Sequence, residues 1–531
     1  MLKLGKKISY ISIFWFFFYF LIFGLLLNNS FSYLDPDLGW HLKVGEEIVN
    51  LKGVPHINNY NYTFAGDWVD HEWLVNLVSY KIFDSFGYIS LSIFFALIIV
   101  VSLILLNLFI RRYFKKAPEA LIAIIQIFGL AASFPHFGVR MQEFSFLFFI
   151  LELIIIENFL RDRIYKSLFW FLPLFYIWAN IHGSFVFGLG ILFIFLIVKL
   201  LERVVLNTKI KKYFDFNNLI SNYNLKIFSL FILGSILVTL ITLYGLNLYS
   251  FLVSYSNAFY LQVISEWLPQ SAFPFNYYQL VYLSFSAAII VIAYYNLKRE
   301  ELKKINFWHF CLFILLFVAA FKSRRNFPLF FVSSFILLIP LIYSIFEIEK
   351  IKTIILRKEL KYFLLFAMTI TIISNFATLE TNNNPFNSYC NDYPCGAVNF
   401  LKKESKYNNL NIFNEYNWGG YLIWTHPERK LFIDGRLPQV GYKGHTFIEE
   451  YFEFLQKDSG FQNKLDEYDI DLVLLKNNDY QIKARRWEKF LFLLDEQNLN
   501  IPHYLRRYLE SSPLWEKIYG DEVASVYLRV K

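Results

Sequence analysis

The chain reads as a polytopic α-helical membrane protein of about eleven transmembrane helices with a C-terminal extracytoplasmic α/β domain. Three observations predict this. Of 531 residues, 56% are hydrophobic, including 61 Phe and 36 Tyr, and only 18% are charged, where soluble chains carry about a quarter. The apolar residues fall in runs of about 20, the length that crosses a hydrocarbon core of roughly 30 Å. From about residue 379 those runs stop, and Asn, Asp, Glu and Lys become frequent.

The expected spans lie at about 8–28, 86–110, 118–134, 142–160, 167–181, 184–202, 227–245, 279–297, 307–321, 327–347 and 362–378. Basic clusters at Lys3–Lys7, Arg111–Lys116, Arg161–Lys166, Arg203–Lys226, Lys298–Lys304 and Lys350–Lys361 alternate with segments poor in Lys and Arg. This positive-inside pattern puts the clusters and the N-terminus in the cytoplasm and the C-terminus outside, in the plasma (inner) membrane. The net charge of +8 therefore reports topology, and no nucleic-acid partner is expected. The first span has no small-residue cleavage site and is read as retained. The expected organisation is a transmembrane catalytic domain, 1–378, with a first outer loop at 29–85, and an outer domain, 379–531, after the Asn-rich stretch Thr381–Asn384.

In the outer domain, Asn411-Ile412-Phe413, Lys430–Ile433 and Asp471–Leu475 read as strands, and 396–404 and 446–456 as helices. Cys311 falls in a span, while Cys390 and Cys395 are close enough for a disulfide in an oxidising compartment. No solenoid repeat, Walker loop, nucleophile elbow or zinc signature is present.

The candidate chemistry gathers on the outer side. Asp35-Pro36-Asp37 follows the first span, and His41 stands four residues after Asp37. A charge at mid-bilayer costs roughly 2.5–3.5 kcal/mol, so acids beside a span sit at its mouth. Such a pair can share a divalent cation or divide the roles of base and stabiliser; alternatively it caps a helix starting near Leu38. Asp70-His71-Glu72-Trp73 in the same loop either completes such a site or faces water while Trp73 anchors at the interface. Arg140, Arg324 and Arg325 lie outside against the positive-inside bias; they suit a lipid phosphate, or snorkel to headgroups. His182 in the short turn 180–183 has a hydrogen bond within the turn as its simplest role. Glu266 is an isolated acid in a loop, 246–278, long enough to be functional. Trp418-Gly419-Gly420 and Asp434-Gly435-Arg436 are either turns or places where a ligand approaches backbone.

With its paired first-loop acids, about eleven spans and C-terminal outer domain, the chain resembles the GT-C membrane glycosyltransferases, among them protein mannosyltransferase-like enzymes, aminoarabinose transferases and oligosaccharyltransferase catalytic subunits. Asp35 and Asp37 match the first-loop acidic motif of that superfamily. Val263-Ile264-Ser265-Glu266 is similar to the Ser/Thr-x-x-Glu motif of oligosaccharyltransferases, with Val263 replacing the hydroxyl residue. Trp418–Ile423 with Phe432-Ile433-Asp434 is similar to their Trp-Trp-Asp-Tyr-Gly region, with Trp418 where the motif has Asp.

The resemblance implies a sugar donor on a polyprenyl phosphate and an acceptor (glycan, lipid or protein) at the outer face. The expected catalytic set is Asp35, Asp37 and Glu266, which would also be the ligands if Mn²⁺ or Mg²⁺ is used. The expected substrate-binding set is His41, Asp70, His71, Glu72, Arg140, His182, Arg324, Arg325, Trp418, Asp434 and Arg436. The alternatives are en bloc glycan transfer, a lipid or polysaccharide transporter, and a catalytically inactive scaffold.

Overall fold

A computed structural model describes residues 10–162, 165–216, 219–254, 259–298, 305–345, 358–377, 381, 383–436, 440–442, 445–456, 460–481, 484–491 and 500–530. Seven of the described helices are long and apolar enough to cross a membrane: Ser12–Ser32, Trp73–Tyr113, Glu119–His136, Phe185–Val205, Asn222–Thr239, Tyr277–Lys298 and Arg324–Ile345. Phe307–Lys322 and Phe366–Ala377 are shorter apolar helices. Of the other expected spans, 142–160 forms the helix Glu143–Asp162, whose apolar surface is interrupted by Glu143, Glu152 and Glu157, and 167–181 contains the 11-residue helix Phe171–Ile181. The basic clusters Lys3–Lys7, 299–304 and 350–357, and the boundary expected near 379, lie outside the described residues.

The helix Phe327–Ile345 is buried along almost its whole length. A helix apolar all round belongs inside a bundle, and this one packs on Phe307–Lys322, Glu119–Ser133 and Tyr277–Lys298. The 41-residue helix Trp73–Tyr113 breaks at Gly87, where φ is +78°, a value glycine adopts without steric cost. The span expected from residue 86 begins at that break.

The C-terminal domain is built on a four-stranded sheet in the order 412–414, 472–476, 524–529, 515–520. The first pair is parallel and the others antiparallel. Successive side chains alternate between faces, and both faces are covered. Phe413, Val473, Leu475 and Tyr527 pack with residues of the helices Phe447–Gln456 and Tyr504–Ser511. Ile412, Leu472, Leu474 and Val526 join the core that includes the helix Cys395–Lys403 and the membrane helices. Burial on both faces explains why Leu472–Leu475 is a continuous apolar run. The run Lys430–Ile433, expected as a strand, contributes only Leu431, a bridge between Asn61 of the first loop and Ile412. Cys390 and Cys395 are disulfide-bonded.

The first loop is interleaved with this domain. Leu431 N–H donates to the Tyr60 carbonyl (2.8 Å) and Tyr62 N–H to that of Leu431 (3.2 Å), and Thr63 Oγ1 donates to the Phe432 carbonyl (2.6 Å). The helix Leu38–Leu51 meets the short helix Gly419–Thr425 at two glycines. A Cβ on Gly39 would overlap the Gly420 carbonyl, and one on Gly420 would overlap that of Pro36. Overpacking of this kind costs about 1–3 kcal/mol. Gly420→Val is therefore expected to lower thermal stability and to speed proteolysis of the C-terminal domain. Gly190→Ala, inside the helix Phe185–Val205 with nothing within 4 Å of its Cβ, is expected to lower neither stability nor resistance to proteolysis; equal behaviour of the two variants would contradict this packing account.

Candidate active site

Just beyond the first helix the chain turns at Asp35-Pro36-Asp37. The Asp37 N–H donates to Asp35 Oδ1 (2.9 Å), and Leu38 N–H to the Asp35 carbonyl (3.2 Å), so the helix Leu38–Leu51 starts at once. Asp37 occupies its N-cap position without a side-chain cap bond. Its Oδ1 instead accepts from Trp40 Nε1 (3.0 Å). The capping alternative therefore does not describe Asp37, whose carboxylate turns toward a cleft of about 560 Å³.

That cleft collects residues distant in the chain. Asp35, Asp37, His41, His71 and Glu72 from the first loop line it, with Arg140, His182, Glu266, Arg325 and Arg436. Asp70 and Asp434 stand behind it, each supporting a lining residue. Arg324 and Trp418 correct the expectation. Arg324 reaches into the 246–278 loop, donating to the carbonyls of Ala272 and Pro274; Trp418 is buried, its Nε1 donating to the Asp392 carbonyl (3.0 Å). Neither lines the cleft.

One wall is an ionic network. Arg140 Nε lies 2.6 Å from Asp35 Oδ2, and its Nη2 lies 2.5 Å from Glu266 Oε1. Arg325 Nη1 approaches Glu266 Oε2 at 3.6 Å, its guanidinium lies 4.7 Å from the Trp267 ring, and its N–H donates to the Glu266 carbonyl (2.8 Å). Burial alone would raise the Glu266 carboxyl; Arg140 and Arg325 outweigh it and hold the group down to about 2. Asp37 has no ion pair among the described residues. Burial, with Asp35 beside it, pushes its carboxyl up to about 7.

A second wall centres on Glu72. His182 Nε2 lies 3.3 Å, and His71 Nε2 3.7 Å, from Oε1; His41 Nε2 lies 3.8 Å from Oε2. Supporting groups orient the rings. The Asn76 amide donates to both Asp70 oxygens at 3.0 Å, so its oxygen accepts from His41 Nδ1 (2.6 Å) and leaves Nε2 toward Glu72. Ser184 N–H donates to His182 Nδ1 (3.1 Å). Burial, reinforced by Asp70, raises the Glu72 carboxyl well above its ordinary range; it lowers His41 to about 3 and His71 to about 4. This wall is electrically quiet and rich in groups able to carry a proton.

The C-terminal domain closes the cleft. Arg436 is held by Asp434 through Nε and Nη2 (2.9 and 2.8 Å) and by Asn58 and Asn61 (2.9 and 3.1 Å). Its guanidinium lies 4.4 Å from the Tyr60 ring and 4.9 Å from that of Trp68. Its Nη1 is buried without a hydrogen-bond partner among the described residues.

Sequence reasoning missed Trp40, His136 and Glu143, which also line the cleft. His136 Nε2 accepts from the Gln279 amide (3.0 Å), and Glu143 accepts from Gly138 N–H (2.7 Å). Both flank Arg140 within a few residues, the one signal that pointed to them. The carboxylates expected to hold Mn²⁺ or Mg²⁺ (Asp35, Asp37 and Glu266) do not fit an ion in this arrangement, because Arg140 lies between Asp35 and Glu266. Among the described residues, no group of three or more His, Cys, Asp or Glu side chains is arranged to hold a metal.

No protein-family model and no curated protein sequence matches the chain. Its fold does match solved structures. The oligosaccharyltransferase of Archaeoglobus fulgidus, tethered to an acceptor peptide containing the NVT sequon, superposes with a TM-score of 0.52 at 12% identity, over 89% of this chain and 69% of that one. AglB of the same organism, in complex with an inhibitory peptide and a dolichol-phosphate, gives 0.52 at 11% identity, over 88% and 70%. At such identities the likeness is one of fold: the chain has the fold of these archaeal oligosaccharyltransferases, as its architecture led one to expect.

Proposed function

We propose that this protein moves a sugar from a polyprenyl-phosphate-linked donor to an acceptor at the extracytoplasmic face of the plasma membrane, with its N-terminus in the cytoplasm and the 379–531 domain outside. One observation carries the reading: a half-buried carboxylate, Asp37, with no ion pair among the described residues, shares a cleft with the guanidiniums of Arg140 and Arg325 on a fold that oligosaccharyltransferases use. The solved relatives bind an acceptor peptide and a dolichol-phosphate, which supports a lipid-linked donor and a separate acceptor here.

In this mechanism the acceptor heteroatom attacks the anomeric carbon as the bond from that carbon to the phosphate oxygen breaks. The acceptor proton passes to Asp37, and polyprenyl phosphate leaves with the bonding pair. Asp37 suits the task because a general base works best with a pKa near the operating pH. Arg140 and Arg325 face the charge growing on the phosphate, the largest single contribution in reactions of this kind. Trp40, Trp68 and Arg436 line the cleft, and the two tryptophans offer aromatic surface to the sugar. The Glu72 wall surrounds the site with uncharged partners. No step is routed through Mn²⁺ or Mg²⁺. A second reading, en bloc transfer of a whole glycan, is favoured by the oligosaccharyltransferase fold, and the donor consumed separates the two.

The test is consumption of a panel of polyprenyl-phosphate and polyprenyl-pyrophosphate sugars by purified protein. Asp37→Asn is expected to lower consumption by about 10²-fold or more, the scale of losing a general base. The same variant is expected to be at least as stable as wild type. The folded carboxyl titrates near 7, above its unfolded value of about 3.9, so ionised Asp37 costs stability as pH rises through that window and Asn removes the cost. Because Asp37 is a base only when deprotonated, kcat/KM for the donor is expected to rise with pH through about 7. Consumption by the folded Asp37→Asn protein at the wild-type rate would refute this mechanism.

A further inference from the structure

We infer that Arg140 stands where a divalent cation would otherwise act, so that transfer needs no metal. Asp35 and Glu266 are then positioning residues for this guanidinium, and Asp37 alone is the base. The inference rests on the transferase reading above.

The geometry is specific. Arg140 joins an acid of the first loop to an acid of the 246–278 loop through two different nitrogens, at 2.6 and 2.5 Å. A dication bridging Asp35 and Glu266 would have to take that place. The second oxygen of Glu266 faces a further guanidinium, that of Arg325, at 3.6 Å. Two guanidiniums balance two carboxylates, so the wall is closed electrically, and a divalent cation entering beside them would meet two like charges in a partly desolvated site. Arg140 is 16% exposed at its side chain, enough to meet a ligand from the cleft while its carboxylates hold it from behind. Guanidinium is planar, permanently charged and matched to phosphate oxygens. Arginines supplied to phosphoryl groups perform comparable electrostatic work. The same arrangement separates the two acids of the pair: Asp35 receives Arg140 and the Asp37 N–H, while Asp37 accepts from Trp40 Nε1 and has no ion pair among the described residues.

The experiment titrates full-length, chelator-stripped protein in nanodiscs with Mn²⁺, following the electron paramagnetic resonance signal of the free ion, with donor consumption measured in parallel with and without EDTA. Wild type is expected to take up no stoichiometric Mn²⁺ at micromolar ion and to consume donor equally in EDTA. Arg140→Ala is expected to lose consumption on the order of 10²–10³-fold, as when one transition-state donor is removed. It is also expected to gain one Mn²⁺ per chain, a gain that Glu266→Gln in the same background cancels. A merely structural arginine would not produce that gained site. Wild type binding one Mn²⁺ that Glu266→Gln abolishes would overturn the inference, as would EDTA-sensitive consumption restored by Mn²⁺, or a folded Arg140→Ala protein that gains no site. Should Arg140→Ala fail to fold, the wild-type titration decides alone. Should no lipid-linked sugar be consumed, the transferase reading fails while the titration still decides on the cation.

Discussion

Arg140 is the charge around which the cleft is assembled. A guanidinium largely enclosed at the end of a helix bundle must be compensated; removing one partner from a fully buried pair costs about 3–5 kcal/mol, and less where, as here, the side chain is partly open to the cleft. Here the partners come from opposite directions in the chain: Asp35 just after the first helix, and Glu266 in the loop 246–278. Satisfying Arg140 therefore brings two remote segments together at one place. Arg325 then follows from Glu266, through a backbone bond and the second carboxylate oxygen.

The C-terminal domain is the remaining wall, and its docking is as constrained as the ion network. Gly39 and Gly420 let two helices approach until backbone meets backbone. Gly435 is forced for a related reason, since a Cβ there would overlap Asp37 Oδ1. Buried Arg436 then joins Asp434 to Asn58 and Asn61, so the first loop is held between membrane helices and sheet. The cleft is thus a property of the assembled chain; no single segment contains it.

This explains what could be read in advance. The long apolar runs and the strands at 412 and 472 follow from local pattern, and the structure has them; the span expected to start at 86 proves to be the part of the helix Trp73–Tyr113 beyond its kink at Gly87. Asp35, Asp37, Glu72, Arg140 and Glu266 were legible because charge beside a membrane span is costly and stands out. Their pairing was not, because sequence spacing says nothing about which acid meets which arginine across more than a hundred residues. Arg324 and Arg325 looked equivalent as neighbours, yet the turn aims one at the carbonyls of Ala272 and Pro274 and the other at Glu266. Trp418 drew notice as an aromatic beside paired glycines, of which Gly420 packs on the start of the helix Leu38–Leu51 and Gly419 on Asp434. Glu143 and His136 passed unnoticed because one begins a helix and the other ends one, where polar residues are commonplace.

The measurement that bears most directly on the account is a cryo-electron microscopy structure of the protein with a polyprenyl-phosphate sugar. The account predicts the phosphate within hydrogen-bond reach of Arg140 and Arg325, and the anomeric carbon facing Asp37 across the cleft. A lipid phosphate bound away from both arginines, or passing through the helix bundle with its sugar remote from Asp37, would contradict the transferase reading and favour a transporter.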